Sequence, residues 1–136
     1  MGTLARQFVS FTLAGLAGLA VDAGLFVLLT HTFLWSIAPA RTVSVCCMVL
    51  ITWILNRAVT FAAQRSPRRG AEFLRYAAVQ ASGLVVNIGV FTLGLWLVPA
   101  LRQTPVVPLV FGAAAGFAFN FVVMRTLVFS GVAARR

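Results

Sequence analysis

The sequence predicts an all-α integral membrane protein in which four transmembrane helices form two helical hairpins, with both termini in the cytoplasm. Its composition, four long apolar stretches and an internal repeat lead to this fold class. Of the 136 residues, 61% are hydrophobic and only 10% are charged, and the mean hydropathy is +1.00. Soluble globular domains are far less apolar. We therefore expect residues 1–136 to form a single transmembrane domain without a separate soluble domain.

Four apolar stretches are expected to cross the membrane, at roughly residues 8–30, 42–62, 76–98 and 108–129. Each is close to the ~20 residues that a helix needs to cross ~30 Å of hydrocarbon. The first is too long for a secretory signal and contains Asp22, so we expect it to be a helix of the mature protein. The stretches would form a first hairpin at about 8–62 and a second at about 73–129. All five prolines are expected in the connections at 31–41, 63–75 and 99–108, outside the uninterrupted helices.

The distribution of arginine predicts the orientation of the chain. Eleven arginines and no lysine are set against only two acids, Asp22 and Glu72. With four spans, the side of the membrane that holds both termini also holds Arg6, Arg57, Arg65, Arg68, Arg69, Arg75, Arg125, Arg135 and Arg136. The other side has only Arg41 and Arg102. By the positive-inside rule, both termini are therefore cytoplasmic, in a protein of the inner membrane.

The connector at residues 63–75 is the main polar stretch of the chain. It contains a basic cluster that is expected to contact anionic lipid headgroups, formed by Arg65, Arg68, Arg69 and Arg75. Ser66 followed by Pro67 is a typical start for a short helix on the inner membrane surface. Because no basic face exists away from the membrane, nucleic acid is not an expected partner.

An internal repeat relates the two halves of the chain. The segment TWILNRAVTF at 52–61 corresponds to NFVVMRTLVF at 120–129 with an offset of 68, which aligns Arg57 with Arg125. An offset of 65 aligns earlier positions: Phe11 with Tyr76, Gly18 with Gly83, and Asp22 with Asn87. Since each half contains two spans, both halves would cross the membrane in the same sense. The sequence therefore predicts parallel repeats related by an axis along the membrane normal.

Asp22 is the only acid within the apolar spans, and a charge there costs roughly 2.5–3.5 kcal/mol on insertion scales. This makes it a candidate functional residue. At ~1.5 Å per residue, its Cα should differ in depth from that of Arg57 by about 15 Å, so no direct salt bridge between them is expected. Thr52, Asn56 and Thr60 recur every four residues and form one polar stripe. The stripe fits interhelical hydrogen bonding and substrate lining equally.

The pattern of reactive residues favours a protein that is not an enzyme. A single intramembrane carboxylate offers no acid–base pair, His31 is expected in a connection, and no glycine-rich phosphate loop is present. Cys46 and Cys47 are adjacent, which suits neither an ordinary disulfide nor a metal site. We expect no cofactor and no metal.

The closing motifs of the two hairpins resemble those of the GtrA-like family of small four-span membrane proteins. The resemblance covers nearly the whole chain and rests on Asn56, Arg57, Thr60 and Phe61 in the second span, and on Asn120, Phe121, Arg125, Val128 and Phe129 in the fourth. Asp22 matches an acidic position that such proteins often carry in the first span. The chain departs from the family pattern where Thr52 and Trp53 replace an Asn–Phe pair and where Met124 precedes the second arginine.

This resemblance implies translocation, or flipping, of a polyprenyl-phosphate-linked monosaccharide for cell-surface polysaccharide or glycan assembly. It implies a membrane glycosyltransferase as a partner. Arg57 and Arg125 would bind the lipid phosphate, since guanidinium suits phosphate in charge and in donor geometry. A polar cavity for the sugar would be lined by Asp22, Asn56, Asn87 and Asn120.

Two other functions fit the sequence less well. The chain could be a scaffold that recruits a polyprenyl-phosphate glycosyltransferase, or a small multidrug-type transporter, although its strong charge bias is atypical of the latter. Four helices make too thin a bundle to enclose a glycolipid headgroup, so a homo-oligomer is expected. Its close helix contacts, within or between subunits, would involve Gly15, Gly18, Gly112 and Gly116.

Overall fold

The computed structural model describes residues 2–104 and 106–129, and within these ranges the chain is helical, without a β-strand. The four main helices are α1 (Thr3–Val27), α2 (Ile37–Leu55), α3 (Arg69–Leu97) and α4 (Val106–Val123). Short 3₁₀ segments follow α2 at Ala62–Gln64 and α3 at Pro99–Gln103.

Three of the helices continue into a five-residue π-helical turn. The π-turns are Leu28–Thr32 after α1, Asn56–Thr60 after α2 and Met124–Val128 after α4. Including these turns, the described residues contain four helices of 30, 24, 29 and 23 residues that are long and apolar enough to cross a membrane. Even the shortest exceeds the ~20 residues required. The predicted all-α, four-span fold class is confirmed.

The second span begins earlier than the sequence predicted. Residues 37–41, assigned to a connection, form the first turn of α2, so Pro39 and Arg41 are helical. Pro108 likewise lies inside α4, as the third residue of Val106–Val123. The expectation that all prolines lie outside the helices is therefore wrong. The first-turn amides of a helix have no intrahelical acceptor, so proline is tolerated there and is a poor marker of the boundary.

The connector also differs from the prediction. Helix α3 begins at Arg69, with Arg68 as its N-cap and no side-chain cap. Ser66 is therefore not the cap, and residues 69–75 are the first turns of one continuous 29-residue helix rather than a separate surface helix. Extending an existing helix adds a hydrogen bond for each residue fixed, whereas a new helix must be nucleated. His31, expected in a connection, is exposed but lies in the π-turn Leu28–Thr32.

The chain divides into two compact units, which we call hairpin 1 (to Pro67) and hairpin 2 (from Arg68). In hairpin 1, α1 packs along α2, and the two are joined at residues 33–36. In hairpin 2, α3 packs along α4. We call the end of each hairpin with the connection its closed end, and the other its open end.

Aligned positions make the same contacts inside each hairpin. Phe11 and Phe61 meet edge to face in hairpin 1, with ring centroids 6.3 Å apart. Their aligned residues in hairpin 2, Tyr76 and Phe129, meet in the same way at 6.4 Å. All four side chains are buried. The sequence repeat therefore corresponds to a repeated packing contact near the open end of each hairpin.

The glycine that is repeated in the two hairpins has a similar structural basis. A Cβ on Gly18 would overlap the Thr52 methyl group, and a Cβ on the aligned Gly83 would overlap the Asn120 amide. Gly116 also faces α3, where an added Cβ would lie 2.7 Å from the Gly83 carbonyl oxygen. By contrast, Gly15 has open space around its missing Cβ. Gly18, Gly112 and Gly116 therefore serve contacts within a hairpin, whereas Gly15 does not.

Candidate functional site

The two repeated arginines occupy the same position in the π-turns that follow α2 and α4. Arg57 is the second residue of Asn56–Thr60, and Arg125 is the second residue of Met124–Val128. Each turn closes with a hydrogen bond that spans five residues, from the Phe61 amide to the Asn56 carbonyl at 2.8 Å and from the Phe129 amide to the Met124 carbonyl at 2.9 Å. Both arginine side chains are half-buried. π-turns within α-helices are frequently found at functional sites.

The guanidinium of Arg57 makes a hydrogen bond and a cation–π contact at the open end of hairpin 1. Its Nη2 donates to the Ser66 carbonyl oxygen at 3.0 Å, and its Cζ lies 5.8 Å from the centre of the Trp53 ring. The carbonyl contact reaches from the π-turn to the segment before α3, so Ser66 acts through its backbone. A guanidinium fixed by a carbonyl and an aromatic face presents its planar fork in a defined orientation.

Asp22 forms a salt bridge with Arg41. The Asp22 Oδ2 accepts from the Arg41 Nη1 at 2.7 Å, and the Arg41 Cζ lies 6.0 Å from the centre of the Phe26 ring. The carboxylate is buried, with 7% of its side chain exposed, whereas 56% of the Arg41 side chain is exposed. Within the described residues, Asp22 Oδ1 is buried without a hydrogen-bond partner. Asp22 is therefore paired towards the closed end and not with Arg57.

The polar stripe of α2 faces the interior of the protein, since Thr52, Asn56 and Thr60 are all buried. Thr52 donates to the carbonyl oxygens of Met48 at 2.8 Å and Val49 at 3.1 Å, within its own helix. Because Phe11 lies opposite Phe61 and Gly18 opposite Thr52, Asn56 is positioned between these two levels. It lies towards the open end, more than a helical turn from Asp22.

In hairpin 2 hydrogen bonds link Asn120 to Gln80 and Gln80 to Tyr76. Its Nδ2 donates to Gln80 Oε1 at 2.7 Å, and Gln80 Nε2 donates to the Tyr76 hydroxyl at 3.3 Å. Asn120 Oδ1 is buried without a hydrogen-bond partner in the described part of the chain. The half-buried Asn87 packs against α4, where a Cβ on Gly112 would lie 2.6 Å from its Oδ1.

The four predicted sugar-binding residues are thus distributed between two hairpins. Asn120 packs against Gly83, and Asn87 packs against Gly116, which itself contacts Gly83. Asn87 and Asn120 therefore lie about one turn apart along the facing helices α3 and α4. Asp22 and Asn56 lie at different levels of hairpin 1.

All four residues of the predicted basic cluster are exposed: Arg65, Arg68, Arg69 and Arg75. Arg65 follows the 3₁₀ segment, Arg68 is the N-cap of α3, and Arg69 and Arg75 lie in its first turns. Arg75 Nε donates to the Ala71 carbonyl oxygen at 3.2 Å. Glu72, on the same turns, is fully buried. The described ranges contain no group of three His, Cys, Asp or Glu residues placed to hold a metal ion.

A comparison with known families identifies the chain. Residues 10–129 match the model for the GtrA/DPMS transmembrane domain. The chain belongs to the GtrA/DPMS transmembrane family. This match includes both hairpins and both arginine-bearing π-turns, and it confirms the GtrA-like resemblance. No curated protein matches the sequence significantly. The chain is a multi-pass membrane protein of a family connected with polyprenyl-phosphate-linked sugars.

Against this family background, sequence reasoning missed two features. The first is the pairing of Arg41 with Asp22, because Pro39 suggests a connection at a place where α2 has already begun. Gln80 was overlooked because it stands alone in an apolar run, and only the pairing of α3 with α4 brings it to Asn120. Both contacts depend on the register of two packed helices, α1 with α2 and α3 with α4, which the sequence pattern does not specify.

Proposed function

We propose that this protein translocates a polyprenyl-phosphate-linked monosaccharide across the inner membrane for the assembly of a cell-surface glycan. The observation that carries the proposal is the repeated π-turn. Two hairpins of a GtrA/DPMS domain each end in a π-turn whose second residue is a half-buried arginine. In this proposal the protein is a transporter and not an enzyme, and it works with a membrane glycosyltransferase.

Arg57 and Arg125 bind the lipid phosphate in this proposal. An arginine in an apolar helix is costly, and such residues generally lie at substrate or ion pathways. Charge-assisted bonds from a guanidinium to a phosphate are short and often bidentate. The carbonyl of Ser66 and the ring of Trp53 orient the Arg57 fork, which reduces the entropy lost when an anion binds.

The remaining polar residues provide contacts for the sugar and for lipid headgroups. Asn120 Oδ1 and one oxygen of Asp22 are buried without hydrogen-bond partners among the described residues, so each has capacity for a sugar hydroxyl. In each hairpin a second polar residue offers a further hydrogen bond to the sugar, Asn56 in hairpin 1 and Asn87 in hairpin 2. The exposed cluster Arg65, Arg68, Arg69 and Arg75 attracts anionic lipids, including the substrate, to the cytoplasmic face. The sequence contains no nucleotide-binding loop, so transfer runs down a gradient or is coupled to another protein.

The proposal is tested in proteoliposomes that contain only the purified protein. The substrates are short-chain isoprenyl phosphates carrying labelled glucose, galactose, mannose or arabinose, and transfer is measured as protection of the label from an impermeant reagent. We expect Arg57→Gln and Arg125→Gln to reduce the transfer rate by roughly tenfold or more, because a hydrogen bond to a charged group contributes ~1.5–3 kcal/mol. Arg57→Lys should retain part of the rate, since it keeps the charge and loses the fork.

Arg102→Gln is the matched control, because Arg102 is an exposed arginine of the 3₁₀ segment Pro99–Gln103. It removes the same charge without touching a π-turn and should transport at the unmutated rate. If the π-turn variants, folded and at equal density, also transported at that rate, Arg57 and Arg125 would not bind the phosphate. A scaffold that only recruits a glycosyltransferase predicts no transfer by the purified protein with any of the four sugars.

A further inference from the structure

The two residues of the salt bridge between Asp22 and Arg41 differ in how much of each side chain is exposed. The acid is almost fully buried, whereas more than half of the arginine side chain is exposed. A guanidinium has five N–H donors, and the described contact uses Nη1 alone. The arginine therefore presents most of its donors outwards while its counter-ion is fixed behind it.

Arg41 lies at the opposite end of the second span from Arg57. It is in the first turns of α2, and Arg57 is in the π-turn that ends the same continuous helix. Sixteen residues separate them, which corresponds to about 24 Å along the helix. The hydrocarbon core is ~30 Å thick. The two arginines therefore lie near opposite boundaries of the membrane, one at each end of a single span.

The two positions of hairpin 2 that align with Asp22 and Arg41 carry no charged residue. Asp22 aligns with Asn87, and with the offset of 68 Arg41 aligns with Leu109. Nevertheless, hairpin 2 preserves the aromatic contact and the close glycine packing of hairpin 1. A hairpin of this kind thus forms without an ion pair at these positions. The salt bridge is an addition to hairpin 1 whose presence the packing does not explain.

We propose that Arg41 forms a further phosphate-binding site, at the opposite end of the span from Arg57, and that Asp22 is its counter-ion when no lipid phosphate is bound. This inference rests on the proposed function and extends it. Arg57 would receive the isoprenyl phosphate on one side of the membrane and Arg41 would receive it on the other. The Asp22 carboxylate competes with the incoming phosphate, since both are anions that bind the N–H groups of the Arg41 guanidinium.

This competition has a measurable consequence. Asp22→Asn keeps the size of the side chain and removes its charge, so the phosphate no longer displaces an ion pair or approaches a buried anion. We expect the variant to bind an isoprenyl phosphate at Arg41 at least threefold more tightly. It also places at position 22 the residue that hairpin 2 has at the aligned position.

The experiment is an arginine footprint of the full-length protein in nanodiscs of zwitterionic lipid. Phenylglyoxal modifies accessible guanidinium groups, and mass spectrometry of peptides reports the rate at Arg41, Arg57 and Arg102 separately. Geranyl phosphate is the probe, with geraniol and inorganic phosphate as controls for the chain and the headgroup. A second set of nanodiscs contains phosphatidylglycerol, which tests whether any anionic lipid has the same effect.

We expect geranyl phosphate to slow modification of Arg41 at concentrations where geraniol and inorganic phosphate do not, and to leave Arg102 unchanged. The half-protecting concentration at Arg41 should fall at least threefold in Asp22→Asn. No protection of Arg41 in the unmutated protein would overturn the proposal, as would equal protection by phosphatidylglycerol. An unchanged or higher half-protecting concentration in the folded variant would show that Asp22 does not compete.

The same footprint separates this inference from the proposed function. Protection of Arg57 alone would support the π-turn site and refute a role for Arg41. Protection of Arg41 alone would support the second site and refute the assignment of Arg57. Because the measurement is of binding, the result at Arg41 does not depend on whether the proteoliposomes transport the substrate.

Discussion

Replacing Gly116 with alanine tests the packing within hairpin 2. The new Cβ would lie 2.7 Å from the Gly83 carbonyl oxygen and 3.1 Å from the Asn87 Cβ. The first contact is with backbone, which no side-chain rotation can relieve, so α3 and α4 must separate by several tenths of an ångström. Overpacking of this kind typically costs ~1–3 kcal/mol, and the gain from replacing a helical glycine by alanine returns roughly 0.5–1 kcal/mol. We expect a net loss of about 1–2 kcal/mol.

Gly89→Ala is the matched control, because Gly89 is also in a membrane-spanning helix of hairpin 2 and has open space where its Cβ would lie. It should be neutral or slightly stabilising. Both variants are compared with the unmutated protein by equilibrium unfolding in detergent, with the oligomeric state measured in parallel. Equal stability of the two variants would refute the close approach of α3 and α4. A loss of oligomers in Gly116→Ala without a loss of stability would place this glycine between subunits instead.

Three further predictions follow from the fold. Asn120→Thr places at position 120 the residue that makes the Thr52–Gly18 contact in hairpin 1, so it should lose only the hydrogen bond to Gln80. The free energy of unfolding should fall by about 0.6 kcal/mol, as for a typical hydrogen bond between membrane helices. A larger fall would show that Asn120 makes additional stabilising contacts. The topology is tested in a background in which Cys46 and Cys47 are replaced by alanine, with an impermeant thiol reagent applied to the periplasmic face. A cysteine at Ala63 should resist the reagent and one at Gln103 should react, whereas the reverse result would show that the predicted orientation is wrong. Cross-linking and native mass measurement in nanodiscs should detect a homodimer or larger assembly, and a monomer alone would contradict the expected oligomer.

The repeat and the four spans were predictable because both are properties of sequence that the fold must retain. About 20 apolar residues suffice to identify a span. The offsets of 65 and 68 relate the contact Phe11–Phe61 of hairpin 1 to the contact Tyr76–Phe129 of hairpin 2. The offset increases by three residues across the closed end because hairpin 2 has a longer connection there. Residues 33–36 join α1 to α2, whereas the described residues 98–104 follow α3.

The partners of the polar residues were not predictable in the same way. Pairing Asp22 with Arg41 requires the register of α1 against α2, and hydropathy carries no information on register. The π-turns were also missed, because a single additional residue per turn leaves the apolar composition of a span unchanged. The substrate sites at Arg57, Arg125, Asn56, Asn87 and Asn120 stay predictions, because helix packing fixes where these side chains lie and not what they bind.

The paired π-turns determine which way the helix faces at the open end of each hairpin. A π-turn is an α-helix with one residue inserted, and the insertion rotates every later side chain by about 100° around the helix axis. Asn56–Thr60 and Met124–Val128 have the insertion at aligned positions, and the buried Phe61 and Phe129 follow each one. Without the additional residue, each phenylalanine would point about 100° away from the ring of Phe11 or Tyr76 that it contacts. The same rotation therefore serves the aromatic contact in both hairpins, and each arginine lies within the turn that produces it.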